Sequence, residues 1–244
     1  MPGRNSISRK SPPALWAPTI GSAFFEAFCR TFFTVYCPLR VEGQHQLPSE
    51  RFLLCSNHSS HADSAVLMTA SGRSFREFAL LGASDYFFRS FRMRRLLSAL
   101  MNVIPIERQP RARSLSTCVT ECRRFLEREG RVLILYPEGT RSTDGEMRDF
   151  KTGVGWLASE LRIPIVPAYI EGTHRILAKG QSLPRPYPVT VRFGEAFSWE
   201  TVFSRGEPLR EQRRAIAEQL AWHVRRLMPQ HSSEAFAPEI QHKG

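Results

Sequence analysis

Polar and apolar positions along the chain change period repeatedly, and the changes mark alternating helices and strands. Between 19 and 36, Ser22, Glu26, Arg30 and Thr34 recur every four residues and line one polar strip. Phe24, Phe28 and Phe32, flanked by Phe25 and Phe33, lie on the far side, so the spacing predicts an amphipathic helix with an aromatic face. Beyond it, apolar runs near 39–42, 51–56, 75–81, 102–106, 132–136, 165–170 and 189–193 predict strands. Patterns of helical period predict helices at 64–70, 86–100, 112–129, 153–161 and 209–227. Such alternation argues for one α/β domain with a mixed, largely parallel central sheet flanked by helices. The organisation that follows is a basic arm and amphipathic helix at 1–38, a main domain at 39–229 and a flexible polar tail at 230–244.

Two polar strings interrupt this pattern directly after apolar strands. Asn57-His58-Ser59-Ser60-His61-Ala62-Asp63 follows Phe52-Leu53-Leu54-Cys55, and Tyr136-Pro137-Glu138-Gly139-Thr140-Arg141-Ser142 follows Val132-Leu133-Ile134-Leu135. Loops at strand ends are where rigid scaffolds present reactive groups. In parallel sheets, ligands gather beyond the carboxyl ends of the strands, where both strings fall. The first string offers an imidazole as base and a carboxylate to orient it. The second offers a carboxylate, a flexible glycine and a guanidinium whose planar donors suit a phosphate.

Composition narrows the partners. The chain has 244 residues, enough for one domain with a full core, and carries 34 basic against 23 acidic residues for a net charge of +11. Such a balance favours anionic partners. No nucleic-acid-binding motif accompanies the charge, so a phospholipid surface or an acidic carrier is the better match. Five cysteines form no metal-binding pattern, and no disulfide framework is implied. No uninterrupted apolar run of about 18 residues occurs, which argues against a membrane-spanning helix. Two readings stand for the aromatic helix face: it packs on the core of the domain, or it dips into lipid with help from Arg4, Arg9 and Lys10. Arg89, Arg92, Arg94 and Arg95, interleaved with Phe87, Phe88 and Phe91, offer a basic helix for a lipid surface or an acidic carrier, or a solvated charged face.

Asn57-His58 followed after four residues by Asp63, and Pro137-Glu138-Gly139-Thr140-Arg141, resemble the first and third sequence blocks of the glycerolipid acyltransferases, the family of lysophosphatidic acid acyltransferase. Ile104-Pro105-Ile106-Glu107-Arg108 resembles the second block, and Ile163-Pro164-Ile165-Val166-Pro167 the apolar fourth. The resemblance implies an acyltransferase domain at 39–229. It implies transfer of a fatty acyl group from acyl-CoA or acyl carrier protein to a lysophospholipid hydroxyl, with 1-acylglycerol 3-phosphate giving phosphatidic acid. In that reading His58 is the general base and Asp63 its orienter, Arg108, Glu138, Gly139, Thr140 and Arg141 bind the acceptor, and no metal, resident cofactor or covalent acyl-enzyme takes part. The chain is expected at the cytoplasmic face of a membrane as a peripheral protein.

Acylation of another lysolipid, such as an amino-acid-linked one, and a non-catalytic lipid-binding role are the alternatives. A metal-dependent hydrolase built on His58, His61 and Asp63 fits less well, because His45, His174, His223, His231 and His242 supply no second ligand pair.

Overall fold

The structure, a computed structural model, describes residues 19–84, 91–107, 112–128, 130–177, 183–202 and 206–229. Arg108, the arm with Arg4, Arg9 and Lys10, the segment with Phe87, Phe88 and Arg89, and the tail at 230–244 lie outside the described residues. Seven strands, β1 (Leu39–Glu42), β2 (Phe52–Ser56), β3 (Phe78–Ala83), β4 (Asn102–Ile106), β5 (Val132–Leu135), β6 (Ile165–Glu171) and β7 (Val189–Phe193), form one sheet in the order β1-β7-β6-β2-β5-β3-β4. Every adjacent pair is parallel except β6 with β7. The helices are α1 (Thr19–Val35), α2 (Asp63–Ala70), α3 (Phe91–Leu100), α4 (Ala112–Leu126), α5 (Gly153–Leu161), α6 (Thr173–Ile176) and α7 (Leu209–Arg226).

Strands β2 and β5 are buried along their whole length because helices cover both faces of the sheet at its centre. Their alternate side chains divide between two cores. Phe52, Leu54 and Ile134 join α1, α2, Phe75 and Phe78 on one face. Leu53, Cys55 and Leu133 join α4, α5 and α7 on the other, around Phe125, Leu157 and Leu220. In β7 buried and half-buried residues alternate, as a strand one step from the sheet edge should with one face open.

From β2 the chain passes over β5 to reach β3; from β5 it passes over β2 to reach β6. The two connections run in opposite directions and part onto opposite faces of the sheet, with α2 on one and α5 on the other. A crevice forms where adjacent connections part in this way, and here it lies at the carboxyl ends of β2 and β5.

Among the described residues, three of these elements differ from the sequence expectation by more than one residue. Residues Phe75–Glu77 form a single 3₁₀ turn, and the strand runs Phe78–Ala83 instead of 75–81. The cause is a polar anchor: the Phe75 N–H and the Ser74 hydroxyl both donate to Glu26 Oε2, at 3.0 and 3.1 Å, and pull that stretch out of the sheet. Helix α4 ends at Leu126, short of the expected 129. The short helix α6 was not foreseen; Gly172, at φ 95°, turns the chain off β6 to start it.

Helix α1 packs part of its aromatic face on the core and leaves another part exposed. Cys29 and Phe33 are buried, and Phe25 stacks edge-on against Phe75, so part of the face belongs to the core. The polar strip also leans inward. Ser22 is buried, Arg30 donates to the Arg73 carbonyl at 2.9 Å, and Glu26 serves as the anchor just described. Burial works against the Glu26 carboxylate, but hydrogen bonds from Phe75, Arg30 and Ser74 hold its pKa below the ordinary value. Outside, beside the exposed Thr31 and Thr34, stand large apolar side chains: Phe24 is 74 % and Phe28 63 % exposed. At the start of the helix Gly21 meets α3 so closely that a Cβ would lie 2.0 Å from the Ala99 carbonyl oxygen.

Candidate active site

The site begins where β2 leaves the sheet. Asn57 continues the β2–β6 ladder with its side chain: Nδ2 donates to the Ile170 carbonyl at 2.9 Å, and Oδ1 accepts the Ile170 N–H at 2.8 Å. The Ser56 hydroxyl also donates to Oδ1, at 3.0 Å. A buried amide that replaces a strand residue lets the main chain turn away at once, so that His58 stands at the sheet's rim. Asn57→Ala strands both polar groups of Ile170 in a buried place. Loss of roughly 2–4 kcal/mol is expected, read as a fall in the midpoint of denaturant unfolding.

His58 is held at every polar group but one. Its N–H donates to Glu138 Oε1 and its carbonyl accepts from the Ser142 N–H, each at 2.8 Å. The ring lies on Tyr136, with centroids 3.9 Å apart and planes inclined by 11°, and Nδ1 sits 2.8 Å from Asp63 Oδ2. With Nδ1–H donating to a carboxylate, Nε2 carries the free lone pair. The His58 side chain is 20 % exposed, whereas that of Asp63 is wholly buried.

A separation of five residues cannot stack two side chains on one helix face. The bend at Ser60–Ala62 solves this, and Asp63 becomes the first residue of α2, where the positive end of the helix dipole favours a carboxylate. Oδ2 also accepts the N–H groups of Ser59 and Ser60 at 2.8 and 2.9 Å. The Ser59 hydroxyl pairs with Thr173 Oγ1 at 3.2 Å and the Ser60 hydroxyl donates to the Leu177 carbonyl at 3.0 Å. Helix α6 thereby pins the outer side of the loop.

The second string forms a tight turn. The Gly139 N–H donates to the Tyr136 carbonyl at 3.0 Å, and Gly139 adopts φ 70°. A Cβ there would lie 2.8 Å from Lys151 Nζ. Thr140 is exposed and Arg141 half-buried at the mouth of the site, while Ser142 folds back to reach His58. The sequence assigns Glu138 to an acceptor hydroxyl. In the structure it is only 3 % exposed and its Oε1 is taken up by the His58 amide. Burial raises its pKa to about 7; the amides of His58 and Arg148 act in the other direction, and the Asp63 charge adds to the rise. His61 stands close enough to Arg141 to feel its charge: desolvation first, then Arg141 and His58, lower the His61 pKa against the opposing pull of Asp63. Among the described residues, no group of three His, Cys, Asp or Glu side chains is placed to hold a metal ion.

The sequence assigns no role to Tyr136, Asn57, Ser64 or Ser142. Tyr136 reads there as the last apolar residue of a strand, and only the structure shows its ring beneath His58 and its hydroxyl 2.9 Å from Ser64 Oγ.

Comparison with known proteins places this geometry. Residues 38–171 match the family model described as Acyltransferase. The 1-acyl-sn-glycerol-3-phosphate acyltransferase of Limnanthes douglasii is 30% identical over 156 residues, covering 64% of this chain and 53% of that protein. The corresponding human alpha protein is 31% identical over 135 residues, or 53% of this chain and 44% of its own length. The chain thus spans about half the length of the curated relatives it matches. The crystal structure of the 1-acyl-sn-glycerophosphate (LPA) acyltransferase PlsC from Thermotoga maritima superposes with a TM-score of 0.60 at 23% identity, over 85% of this chain and 80% of that one, which shows a shared fold. The matched segment contains the His58–Asp63 pair and the whole Glu138–Arg141 turn, and the chain belongs to the acyltransferase family.

Proposed function

We propose that the chain transfers a fatty acyl group from a thioester, acyl-CoA or acyl carrier protein, to the hydroxyl of a lysophospholipid of the 1-acylglycerol 3-phosphate class. The observation that carries this reading is the Nδ1 contact of His58 with a buried carboxylate, 2.8 Å long, beside a turn that presents Arg141. An alcohol at neutral pH is a weak nucleophile and must lose its proton as it attacks. Nε2 of His58 takes that proton, and Asp63 stabilises the imidazolium that forms. The hydroxyl oxygen attacks the thioester carbonyl, the tetrahedral adduct expels the thiolate, and the imidazolium returns a proton to the sulfur. Direct attack of this kind involves no acyl-enzyme and calls on no resident cofactor.

Arg141, with Gly139 and Thr140 beside it in the turn, is assigned to the acceptor's phosphate. Arg108, matched to the family's second block, is assigned to the same group. The experiment is thiol release from acyl-CoA and from acyl carrier protein in the presence of 1-acylglycerol 3-phosphate, other lysophospholipids and an amino-acid-linked lysolipid. Release confined to the last acceptor changes the substrate, and release with none of them refutes the reading.

The acceptor and product are lipids, and α1 is proposed as the element that meets their bilayer. No described helix is long and apolar enough to cross a membrane. Phe24 and Phe28 nevertheless project outward beside Ile20, and the chain's charge of +11 suits anionic headgroups. In Phe24→Ser/Phe28→Ser, cosedimentation with vesicles of anionic phospholipid should weaken by roughly tenfold or more per residue. Unchanged partitioning would assign the bilayer contact elsewhere.

A further inference from the structure

We propose that Glu138 is a positioning residue that acts through the main chain of His58, and that a proton taken up by its carboxylate lets the base move out of line. The inference rests on the acyl-transfer reading above. It reassigns one residue of the turn from the acceptor to the base.

Glu138 reaches across from the β5 loop to the β2 loop and accepts the His58 N–H at 2.8 Å. The Ser142 N–H, four residues further along the same loop, donates to the His58 carbonyl at the same distance. The peptide units on both sides of His58 are therefore fastened to the second loop, one through a carboxylate and one through an amide. With 3 % exposure and Oε1 engaged, Glu138 has no free face toward an acceptor outside. Its other oxygen, Oε2, is buried too, and beyond His58 the carboxylate feels only the main-chain amide and charge of Arg148 and the charge of Asp63.

The charged groups that face this carboxylate are Asp63 from α2 and Arg148 from its own connection, while His58 of the β2 loop meets it through its main-chain N–H. Lys151 lies over the adjoining Gly139, and Arg141 follows in the turn. A carboxylate accepts an N–H about twice as strongly as a neutral acid does. Protonation thus loosens the bond that fixes the His58 amide. Because burial lifts this carboxyl from its ordinary 4.5 to about 7, the change falls within the working range of an imidazole base.

The sign for stability follows from the same shift. A carboxyl whose folded-state pKa is raised contributes stability below its ordinary value and loses it as pH rises through about 7. The ionised form, which holds His58, is the less stable one. Site function and fold stability therefore pull in opposite directions at this residue.

Glu138→Gln keeps the shape and removes the titration. Expected for the variant is a kcat lower by roughly tenfold at about pH 8, the worth of one charge-assisted hydrogen bond. Its KM for 1-acylglycerol 3-phosphate should stay within about twofold of wild type. The acid limb of kcat should report two protons in wild type and one in the variant. The difference in Tm between the two proteins should change with pH around neutrality, through loss of the Glu138 contribution in wild type alone. A KM raised about tenfold with kcat intact would return Glu138 to the acceptor site and overturn the proposal. A Tm difference that is flat with pH overturns it too, whatever the activity. Absence of any acyl transfer by wild type sinks the acyl-transfer reading instead, and the Tm comparison then still decides whether the carboxyl titrates in the fold.

Discussion

His58→Ala leaves acyl transfer at least ~10²–10⁴-fold below wild type, the contribution of a general base, with little change in KM for the acceptor. Thiol release from the acyl donor, followed with saturating lysolipid, reads it directly. Replacement of Asp63 separates two parts of its role. Asp63→Ala removes both the orienting acceptor and the charge, and should approach the loss in His58→Ala. Asp63→Asn should fall between. The oxygen that meets Nδ1 is the same Oδ2 that accepts the amides of Ser59 and Ser60, so the carboxamide oxygen is steered to that position and its nitrogen to the other. The ring then keeps its tautomer and loses only the negative charge opposite the imidazolium. Equal rates for Asp63→Asn and Asp63→Ala would refute that division, and full activity in His58→Ala would refute the base itself.

Arg141→Ala raises KM for a phosphate-bearing acceptor by about 10–100-fold, the range for hydrogen bonds to a charged group. Arg141→Lys recovers part of this, since an ammonium is attracted to phosphate without gripping two oxygens at once. The effect should shrink for an acceptor that lacks the phosphate, a contrast that separates ligand contact from damage to the turn. A collapse of kcat with KM preserved would instead make Arg141 a support of the loop. Added salt should weaken acceptor binding in wild type more than in the alanine variant.

Much of this site could be read from residue order, for reasons that are physical. The runs at 52–56 and 132–135 are apolar throughout because their strands are buried on both faces, and each ends abruptly in polar residues. That edge is visible without coordinates, and so is the pairing of an imidazole with a carboxylate five residues on. Which neighbours hold them is not visible, since those contacts join segments far apart in sequence. Glu138 meets His58 across 80 residues, and Asn57 meets Ile170 across 113. Side-chain amides and carboxylates that pair with distant main chain carry no periodic signal. The same limit explains the strand start at Phe78: the anchor that displaces Phe75 is a glutamate on α1. For α1, four-residue spacing located the polar strip, but the direction it faces depends on what Ser74 and Arg73 offer it.

The fastening of His58 at both ends of its main chain, together with the Tyr136 ring beneath it, has a kinetic corollary. While Glu138 is ionised, the fold itself sets the arrangement of His58, so none has to be built when a ligand arrives, which is preorganisation in the strict sense. For the proposed acyl transfer, exchange of lipid, rather than any rebuilding of the loop, is then the step expected to limit turnover once chemistry is fast.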